Sequence, residues 1–358
     1  MVAVNQGGEY QSGVATRTTV AGCFREVIPM SPRAFSIPCA SGVLCVWCAL
    51  LPAWHAAHAQ GYPVKPVRII VGVPPGGGTD ILGRALARRL TDAFGQQFVV
   101  ENRPGAGTVI GAEAVAKSAP DGHTLLLAIN ALAANHTLYK KLPYNTLRDF
   151  SPIILAAITP NILVVHPSLP AVNAREFVAL ARARPNQVAY ASSGSGSAAY
   201  LAAEVFKLAT GTQMIHVPYK GTAPALTALI AGETQAMVAA LPGAIAFVKE
   251  RRLRALGLTS ARRAPTVPDI PTLAEAGIKG AEFDTWYGFF APAGTPNEII
   301  ARLNTTIKTL LTTPEVKQQL AGLGLDAAGN TPAEFDKYFR AEVENLARVI
   351  RAAGATAE

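Results

Sequence analysis

The sequence predicts an α/β protein built from two analogous lobes, and three observations predict it. Half of the 358 residues are hydrophobic and 16% are charged, which is enough apolar material for a large core. Short β-branched segments alternate with segments of helical periodicity along most of the chain. A glycine-rich strand-to-helix turn, PPGGGTD, is followed about 120 residues later by a second such turn, SSGSGS.

The first lobe begins with a strand–helix–strand unit. The β-branched run VRIIVGV over 67–73 predicts a strand, and apolar residues at helical spacing predict a helix from Ile81 to Phe94. Gly95 predicts the end of that helix. The elements predicted next are a strand beginning at 98–100, a helix over 108–117 after a second glycine pair, and a strand over 124–129.

The second lobe repeats this design around the serine-rich turn. A strand over 188–191 precedes SSGSGS, and a helix over 198–209 follows it and ends at Gly211. Further strands are predicted over 214–219, 235–240, 253–259 and 284–291. Helices are predicted over 296–311, 314–323 and 332–352, each with a proline near its first turn.

The N-terminal segment has the pattern of a secretory signal peptide. Residues 34–54 are apolar and uncharged, and the small-x-small site Ala57-His58-Ala59 predicts cleavage before Gln60. Residues 1–29 are interpreted as an over-extended start, because a leader that begins at Met30 has the usual proportions. The alternative is an apolar segment kept as a membrane anchor.

Composition excludes several classes of function. All four cysteines precede the predicted cleavage site, so the exported protein would have no disulfide, thiolate metal site or cysteine nucleophile. This favours a soluble periplasmic protein. The net charge of +8 is spread along the chain without a basic tract, which disfavours nucleic acid as a partner. The histidines lack metal-ligand spacing, so neither a metal nor another cofactor is predicted.

The turn Gly76–Asp80 is the most informative local segment. Its glycines allow backbone N–H groups to approach an anion, and the following helix adds its positive N-terminal end. Arg84 stands in place of the lysine that a nucleotide phosphate loop requires, and Ile81 in place of the last glycine of a dinucleotide turn. The segment therefore predicts a carboxylate or phosphate cradle. The alternative is a plain turn in which Thr79 or Asp80 caps the helix.

Other polar and aromatic groups allow two interpretations. Ser192, Ser193 and Ser197 offer hydroxyls ahead of a helix, which suits the orientation of a ligand oxygen, but no serine has the glycines of a hydrolase elbow. His123 and His216 are interpreted as hydrogen-bonded structural groups. The aromatic residues Trp286, Tyr287, Phe289 and Phe290 alternate along a predicted strand and suit either core packing or a cleft lining.

A series of ordered motifs gives the chain a resemblance to a known family. PPGGGTDILGR, ENRPGAGTVIGAEAVAKSAPDGHTLLL, YASSGSGSAAYLAAEVFK, HVPYKGTAPALTALIAGE and WYGFFAPAGTP together resemble the substrate-binding proteins of tripartite tricarboxylate transporters, also called Bug receptors. The resemblance covers residues 62–350. It implies a two-lobed, Venus-flytrap periplasmic binding protein with two mixed sheets flanked by helices and two crossing hinge strands. Lobe 1 would comprise 60–162 plus 286–358, and lobe 2 would comprise 163–285.

The resemblance also implies a function and a site. The protein would capture a small organic carboxylate and deliver it to the membrane subunits of a tripartite transporter, as a monomer and without catalysis. The ligand-binding residues carried over are Gly76, Gly77, Gly78, Thr79, Asp80, Asn130, Ser192, Ser193 and Ser197.

Two departures from the family pattern bear on specificity. Val238-Ala239-Ala240 follows Met237 where the family commonly has Phe-Asp-Asn, and Tyr200 occupies a position that is often histidine. A more apolar far end of the pocket is expected, and amine-bearing ligands such as amino acids are disfavoured.

Other functions stay open at this level. The protein is also compatible with an exported ligand sensor, a non-transport binding or adhesion module, or the effector domain of a regulator. A secreted hydrolase that uses Asp80 and a serine is a further alternative.

Overall fold

The computed structural model describes residues 61–356. The predicted leader, its cleavage site before Gln60 and all four cysteines lie outside the described residues. Within the described part, no helix combines the length and apolar character needed to cross a bilayer.

Strands and helices alternate through the chain. The elements up to its middle are β1 (Val67–Val71), α1 (Gly78–Phe94), β2 (Phe98–Asn102), a 3-10 turn (Ala106–Thr108), α2 (Val109–Ala116), β3 (Thr124–Ala128), α3 (Asn130–Leu138) and β4 (Phe150–Val165). Those that follow are α4 (Ala174–Ala183), β5 (Ala189–Ser192), α5 (Ala198–Thr210), β6 (Ile215–Pro218), α6 (Thr222–Ile230), β7 (Ala236–Ala240), α7 (Leu241–Lys249), β8 (Arg254–Leu258), β9 (Asp284–Pro292), α8 (Asn297–Thr312), α9 (Pro314–Gly322), β10 (Asp326–Ala327) and α10 (Pro332–Ala353).

Every strand and helix that the sequence predicts is present, with bounds that differ by at most three residues. Gly95 and Gly211 end α1 and α5 in the left-handed conformation that glycine adopts without strain. The α/β fold class is confirmed. Helices α3, α4, α6 and α7 and the strands β4 and β10 are not among the predicted elements.

The strands form a mixed sheet in the order β2-β1-β3-β9-β4-β7-β5-β6, with β8 and β10 also paired to β4. On one side, β1 runs parallel to β2 and β3. On the other, β5 runs parallel to β6 and β7. The antiparallel strands β4 and β9 join the two sides.

The strand β4 changes partners at Pro160. Residues up to Pro160 pair with β9, and those from Asn161 pair with β7. The amide of Asn161 fixes this crossing, because Nδ2 donates to the carbonyl of Phe283 at 2.8 Å and Oδ1 accepts the hydroxyl of Thr285 at 3.0 Å. Proline interrupts a strand pattern because it has no N–H for the ladder. Two register shifts in the β4–β9 pairing follow Pro152 and Leu155.

Helices cover the sheet with regularly spaced apolar residues. Leu82, Leu86 and Leu90 of α1 are buried in one cluster with Ile300 and Leu303 of α8. Their spacing places the three leucines on one face of α1. The long helix α10 packs against both α3 and α5. The C-terminal helix therefore contacts helices that belong to both groups of parallel strands, α3 after β3 and α5 after β5.

Candidate functional site

A cleft of about 890 Å³ lies at the carboxyl ends of the parallel strands. One wall, here the first wall, comes mainly from the segments that follow β1 and β2. The opposite wall, the second wall, comes mainly from the segments that follow β5 and β6. Loops at the carboxyl ends of parallel strands are where open α/β sheets bind ligands. The volume is in the range of small-molecule sites.

Six helices begin at this cleft. Their N-cap residues all line it, and these are Gly77 of α1, Thr108 of α2, Ile129 of α3, Ser197 of α5, Gly221 of α6 and Ala240 of α7. Of these six, Ser197 alone uses its side chain as a cap, by accepting the N–H of Tyr200. Each helix N-terminus presents N–H groups and a partial positive charge. The cleft therefore concentrates positive potential from the backbone.

The described lining also carries one charged side chain, which adds to this positive potential. Within residues 61–356, Lys220 is the one charged side chain that lines the cleft, and no carboxylate does so. No group of three or more metal-ligating side chains occurs in the same range. Convergent amides without carboxylates suit an organic anion.

The glycine-rich turn forms part of the first wall. Gly77, Gly78 and Thr79 line the cleft, whereas Gly76 and Asp80 do not. The interpretation in which Thr79 or Asp80 caps α1 is wrong. The helix begins at Gly78, so its N-cap is Gly77, and both Thr79 and Asp80 lie inside its first turn. No side chain caps that turn.

Asp80 stabilises the glycine-rich turn through hydrogen bonds and lies outside the cleft lining. Its carboxylate accepts the backbone N–H of Gly76 at 3.1 Å, Nε of Arg84 at 3.0 Å and Nδ2 of Asn102 at 3.0 Å. Burial alone would raise the pKa of Asp80, but the hydrogen bonds from Arg84, Gly76 and Asn102 outweigh it and hold the pKa below its ordinary value. With its lone pairs occupied in this way, Asp80 positions the glycines. Among residues 61–356, no serine hydroxyl is hydrogen-bonded to this carboxylate.

The serine-rich turn forms part of the second wall. Ser193 and Ser197 line the cleft, whereas Ser192 is fully buried behind the turn. The Ser192 hydroxyl lies 2.6 Å from Nε2 of His216 and accepts the N–H of Gly194 at 3.1 Å. Burial lowers the pKa of His216 to about 4, so the ring is neutral at neutral pH. Ser192 and His216 thus hold the turn that presents Ser193.

Asn130 lies outside the cleft lining. Its side chain is fully buried, its Nδ2 donates to the carbonyl of Asp284 at 3.1 Å, and its Oδ1 accepts the N–H of Trp286 at 3.2 Å. Both amide atoms are therefore used to fasten α3 to β9. For Gly77, Gly78, Thr79, Ser193 and Ser197, which do line the cleft, ligand contact stays a prediction.

The aromatic residues of β9 divide between the core and the cleft, and within residues 61–356 the ring of His123 lacks the hydrogen bonds predicted for it. Trp286, Phe289 and Phe290 are core residues, but Tyr287 is both buried and part of the cleft lining. The hydrogen-bonded role predicted for His123 is wrong, since neither ring nitrogen has a hydrogen-bond partner among the described residues. Its ring instead packs edge-on against Tyr62.

The structure adds lining residues that the sequence did not single out. The turn Tyr219–Thr222 contributes to the second wall, and Gly105–Thr108, Tyr139 and Thr285 contribute to the first. The sequence does carry a signal for the first of these, because Gly221 separates the strand IHVP from a helix in the same way as the glycines of the turns PPGGGTD and SSGSGS do. Nothing local marks Tyr139 or Thr285, which reach the cleft through long-range packing.

The two places where this sequence departs from the family pattern, residues 238–240 and Tyr200, differ in whether they line the cleft. Ala240 lines it, while Ala239 is fully buried behind it. Tyr200 does not line it, and its ring packs on His216 with centroids 4.8 Å apart. A small apolar side chain at 240 is therefore the departure that faces the cleft directly.

The two walls touch at glycines. A Cβ built on Gly107 would lie 3.1 Å from the carbonyl oxygen of Ser195, and one built on Gly221 would lie 2.9 Å from Cγ of Pro74. Both glycines have positive φ angles, 58° and 121°. The walls can approach this closely because these positions carry no side chain.

Comparison with known proteins identifies the family. The model of the tripartite tricarboxylate transporter family receptor matches residues 82–355. BugT of Bordetella pertussis is 38% identical over 299 residues, which are 83% of this chain and 92% of that protein. Rpa4515 of R. palustris, solved with adipate, is 35% identical with a TM-score of 0.80 over 82% of this chain and 99% of that one.

A second solved structure agrees. MatC of Rhodopseudomonas palustris, with bound malate, is 31% identical with a TM-score of 0.77 and covers 81% of this chain and all of its own. Both the sequence and the fold of residues 61–356 therefore match the same group of receptors. The chain belongs to the tripartite tricarboxylate transporter receptor family, also known as the Bug family.

Proposed function

We propose that this protein is an extracytoplasmic receptor that captures a small organic carboxylate between two lobes. The single observation that carries the proposal is the convergence of six helix N-termini on a cleft whose described lining contains no carboxylate. Backbone amides and helix dipoles stabilise an anion and repel a cation.

The bound ligands of two relatives support a carboxylate. Rpa4515 was solved with adipate and MatC with malate, and both ligands are dicarboxylates. Ala240 adds apolar surface to the lining in this chain. We infer that aliphatic or aromatic acids fit this cleft better than amino acids, whose ammonium group would meet helix N-termini and find no carboxylate partner in the described lining.

The capture step follows from the two walls. We propose lobes of 60–162 with 286–358 and of 163–285, which meet near the point where β4 changes partners at Pro160. A ligand that contacts both walls binds the closed arrangement more tightly than an open one, and this difference in affinity favours closure. No bond of the ligand needs to change.

Export and delivery complete the proposal. The predicted signal peptide would send the protein to the periplasm with a mature start at Gln60, and the family name supports membrane subunits of a tripartite transporter as partners. A sensor that reads the same closed state is the alternative use of the same binding step.

A thermal-shift screen tests the proposal. The purified protein, stripped of bound ligand by unfolding and refolding, is heated with mono-, di- and tricarboxylates, aromatic acids and amino acids. A ligand at a hundred times its Kd adds about 2.7 kcal/mol to the free energy of unfolding, which raises Tm measurably. Stabilisation by a carboxylate supports the proposal. A panel in which amino acids stabilise best contradicts the predicted specificity, and no shift with any acid contradicts the function.

A further inference from the structure

Lys220 holds an unusual place in the cleft. It is the one charged side chain in the lining formed by residues 61–356, and it is exposed at the cleft surface. It belongs to the turn between β6 and α6, directly before the N-cap Gly221. The helix N-termini around it supply partial charges, whereas an ammonium supplies a full one.

The backbone that carries Lys220 is fixed on both sides. The N–H of Tyr219 donates to the carbonyl of Ser192 at 3.0 Å, which ties the turn to the serine-rich segment. On the other side, Gly221 meets Pro74 of the first wall. The side chain is flexible, but its point of attachment is set where the two walls meet.

The same point is close to the glycine-rich turn. A Cβ built on Gly77 would lie 3.7 Å from Oγ1 of Thr222, so the N-termini of α1 and α6 face each other across the cleft. Amides from these two turns can surround one carboxylate of a ligand. Lys220, one residue from Gly221, stands beside that group of amides and extends the positive region.

Lys220 has no anionic partner in the described chain. No carboxylate oxygen of residues 61–356 lies within 4.0 Å of its ammonium. Other lysines do have such partners, for example Lys207 with Glu204 at 2.8 Å and Lys65 with Asp121 at 3.0 Å. The ammonium of Lys220 is therefore available to pair with an anionic ligand in a cleft whose helix N-termini already favour anions.

These contacts separate two kinds of anion. One carboxylate is satisfied by neutral amides, which can surround it without any side chain. A second carboxylate on the same ligand lies beyond those amides, and the other helix N-termini offer it only partial charges. The full charge of an ammonium offsets its desolvation on closure more completely. A monocarboxylate has no group that needs this charge.

We propose that Lys220 selects dianionic over monoanionic ligands by pairing its ammonium with the carboxylate that the amides of the α1 and α6 turns do not hold. This inference rests on the proposed function and names the substrate class of the same cleft.

The test compares two ligands of equal length on matched variants. From the α,ω-dicarboxylates of four to eight carbons, the one that binds the full chain most tightly is paired with the monocarboxylate of the same carbon number, for example adipate with hexanoate. Kd values are measured by calorimetry for wild type, Lys220→Met, Lys220→Arg and Lys279→Met. Lys279 is exposed and outside the lining, so its replacement makes the same change in net charge.

The proposal predicts a selective loss. Lys220→Met weakens the dicarboxylate about 10- to 100-fold, as expected for loss of one charge-assisted hydrogen bond, and changes the monocarboxylate less than about twofold. Lys220→Arg and Lys279→Met stay within about threefold of wild type for both ligands. The effect of Lys220→Met shrinks at high salt because ions screen the ammonium and the carboxylate in the open cleft, before they pair.

Other outcomes overturn it in distinguishable ways. Equal weakening of both ligands by Lys220→Met means that Lys220 contributes only general potential, and no weakening means that it does not contact the ligand. A wild-type protein that binds the monocarboxylate as tightly as the dicarboxylate also refutes the selection. If the wild type binds no carboxylate at all, the proposed function itself fails, and this inference fails with it.

Discussion

The hydroxyl of Tyr287 occupies the space that a side chain on Gly78 would need. A Cβ built on Gly78 would lie 2.5 Å from that oxygen, closer than real Cβ contacts come. Tyr287 belongs to β9, the strand that joins the two sides of the sheet, and Gly78 is the first residue of α1. Burial raises the pKa of Tyr287, so the hydroxyl stays neutral. The joining strand thus sets how far the N-terminus of α1 enters the cleft.

Replacing Gly78 with alanine should damage both stability and binding. The overpacking is expected to cost about 1–3 kcal/mol of unfolding free energy and to weaken carboxylate binding about tenfold, because α1 must retreat from Tyr287. Tyr287→Phe removes the oxygen and leaves the ring carbon at 3.5 Å from the new Cβ. The double variant should therefore recover much of both losses.

Denaturant unfolding and calorimetric titration check this pair. Gly322→Ala is the control, because that helical glycine is exposed with no atom within 4 Å of a built Cβ, and alanine there should be neutral or slightly stabilising. Additive losses in the double variant would mean that Gly78 and Tyr287 do not interact as described.

The contact between the two walls at Gly107 should be needed for tight binding. Gly107→Ala places a methyl group 3.1 Å from the Ser195 carbonyl and 3.0 Å from the Tyr139 hydroxyl, so closure is expected to be obstructed and affinity reduced about tenfold. Gly211→Ala has nearly the same backbone angle, 61° against 58°, but meets nothing within 4 Å. Both variants lose stability through backbone strain.

Titration of the two variants with the same carboxylate separates strain from closure. The account predicts weaker binding only for Gly107→Ala. Equal affinities in Gly107→Ala and Gly211→Ala would show that the walls do not need to meet at this point.

Neighbouring serines should have opposite kinds of effect. Ser193→Ala removes a cleft hydroxyl and is expected to weaken binding about 3- to 10-fold with less than about 0.5 kcal/mol change in stability. Ser192→Ala removes the partner of the Gly194 N–H and of His216, so it should lower the unfolding free energy by about 1–2 kcal/mol. Its effect on binding should follow from the turn losing its shape.

Thermal unfolding without ligand and titration with ligand distinguish the two serines. A stable Ser192→Ala protein with normal turn geometry would contradict the structural role. A Ser193→Ala protein that binds as well as wild type would remove this hydroxyl from the site.

Asp284 should make the protein less stable at neutral pH than in weak acid. Its Oδ1 is buried without a hydrogen-bond partner in the described chain, and burial, with repulsion from Asp326 and Glu342, raises its pKa to about 6. An unfolded aspartate titrates near pH 4. Protonated Asp284 therefore contributes to the free energy of unfolding. This contribution is fully present below pH 4 and is lost as the pH rises through 6.

The variant Asp284→Asn should remove this dependence. We expect an increase of about 1–2 kcal/mol in unfolding free energy at pH 7.5 and little change at pH 4, where Asp284 is already neutral; the increase is below the full linkage value because the side chain is partly exposed. Urea unfolding at the two pH values measures it. A change of the same size at both would mean that the charge of Asp284 is not the cause.

The sequence predicted repeating local features well and long-range relationships poorly. Helix α1 follows from leucines at helical spacing, and Gly95 and Gly211 mark helix ends by their backbone freedom. The strand β4 was missed because Pro152 and Pro160 interrupt its pattern, and the structure accommodates them at a register shift and at the change of partners.

Within the site, the turns were predictable but the direction of each side chain was not. Ser192 and Ser193 are adjacent and chemically identical, yet one is buried against His216 and the other lines the cleft. Asn130 makes its hydrogen bonds to residues more than 150 positions away, which no local pattern records. Which groups face a cleft is decided by such tertiary contacts.

Calorimetric titration with a carboxylate and its amide tests the central claim most directly. Adipate and adipamide have the same carbon skeleton, but only adipate is an anion at neutral pH. If helix N-termini and Lys220 make this cleft an anion receptor, the protein stripped of ligand binds the best dicarboxylate of the series with a Kd near or below the micromolar range, and its diamide at least about 100-fold more weakly. Equal binding of acid and amide, or binding of neither by any member of the series, would contradict the account.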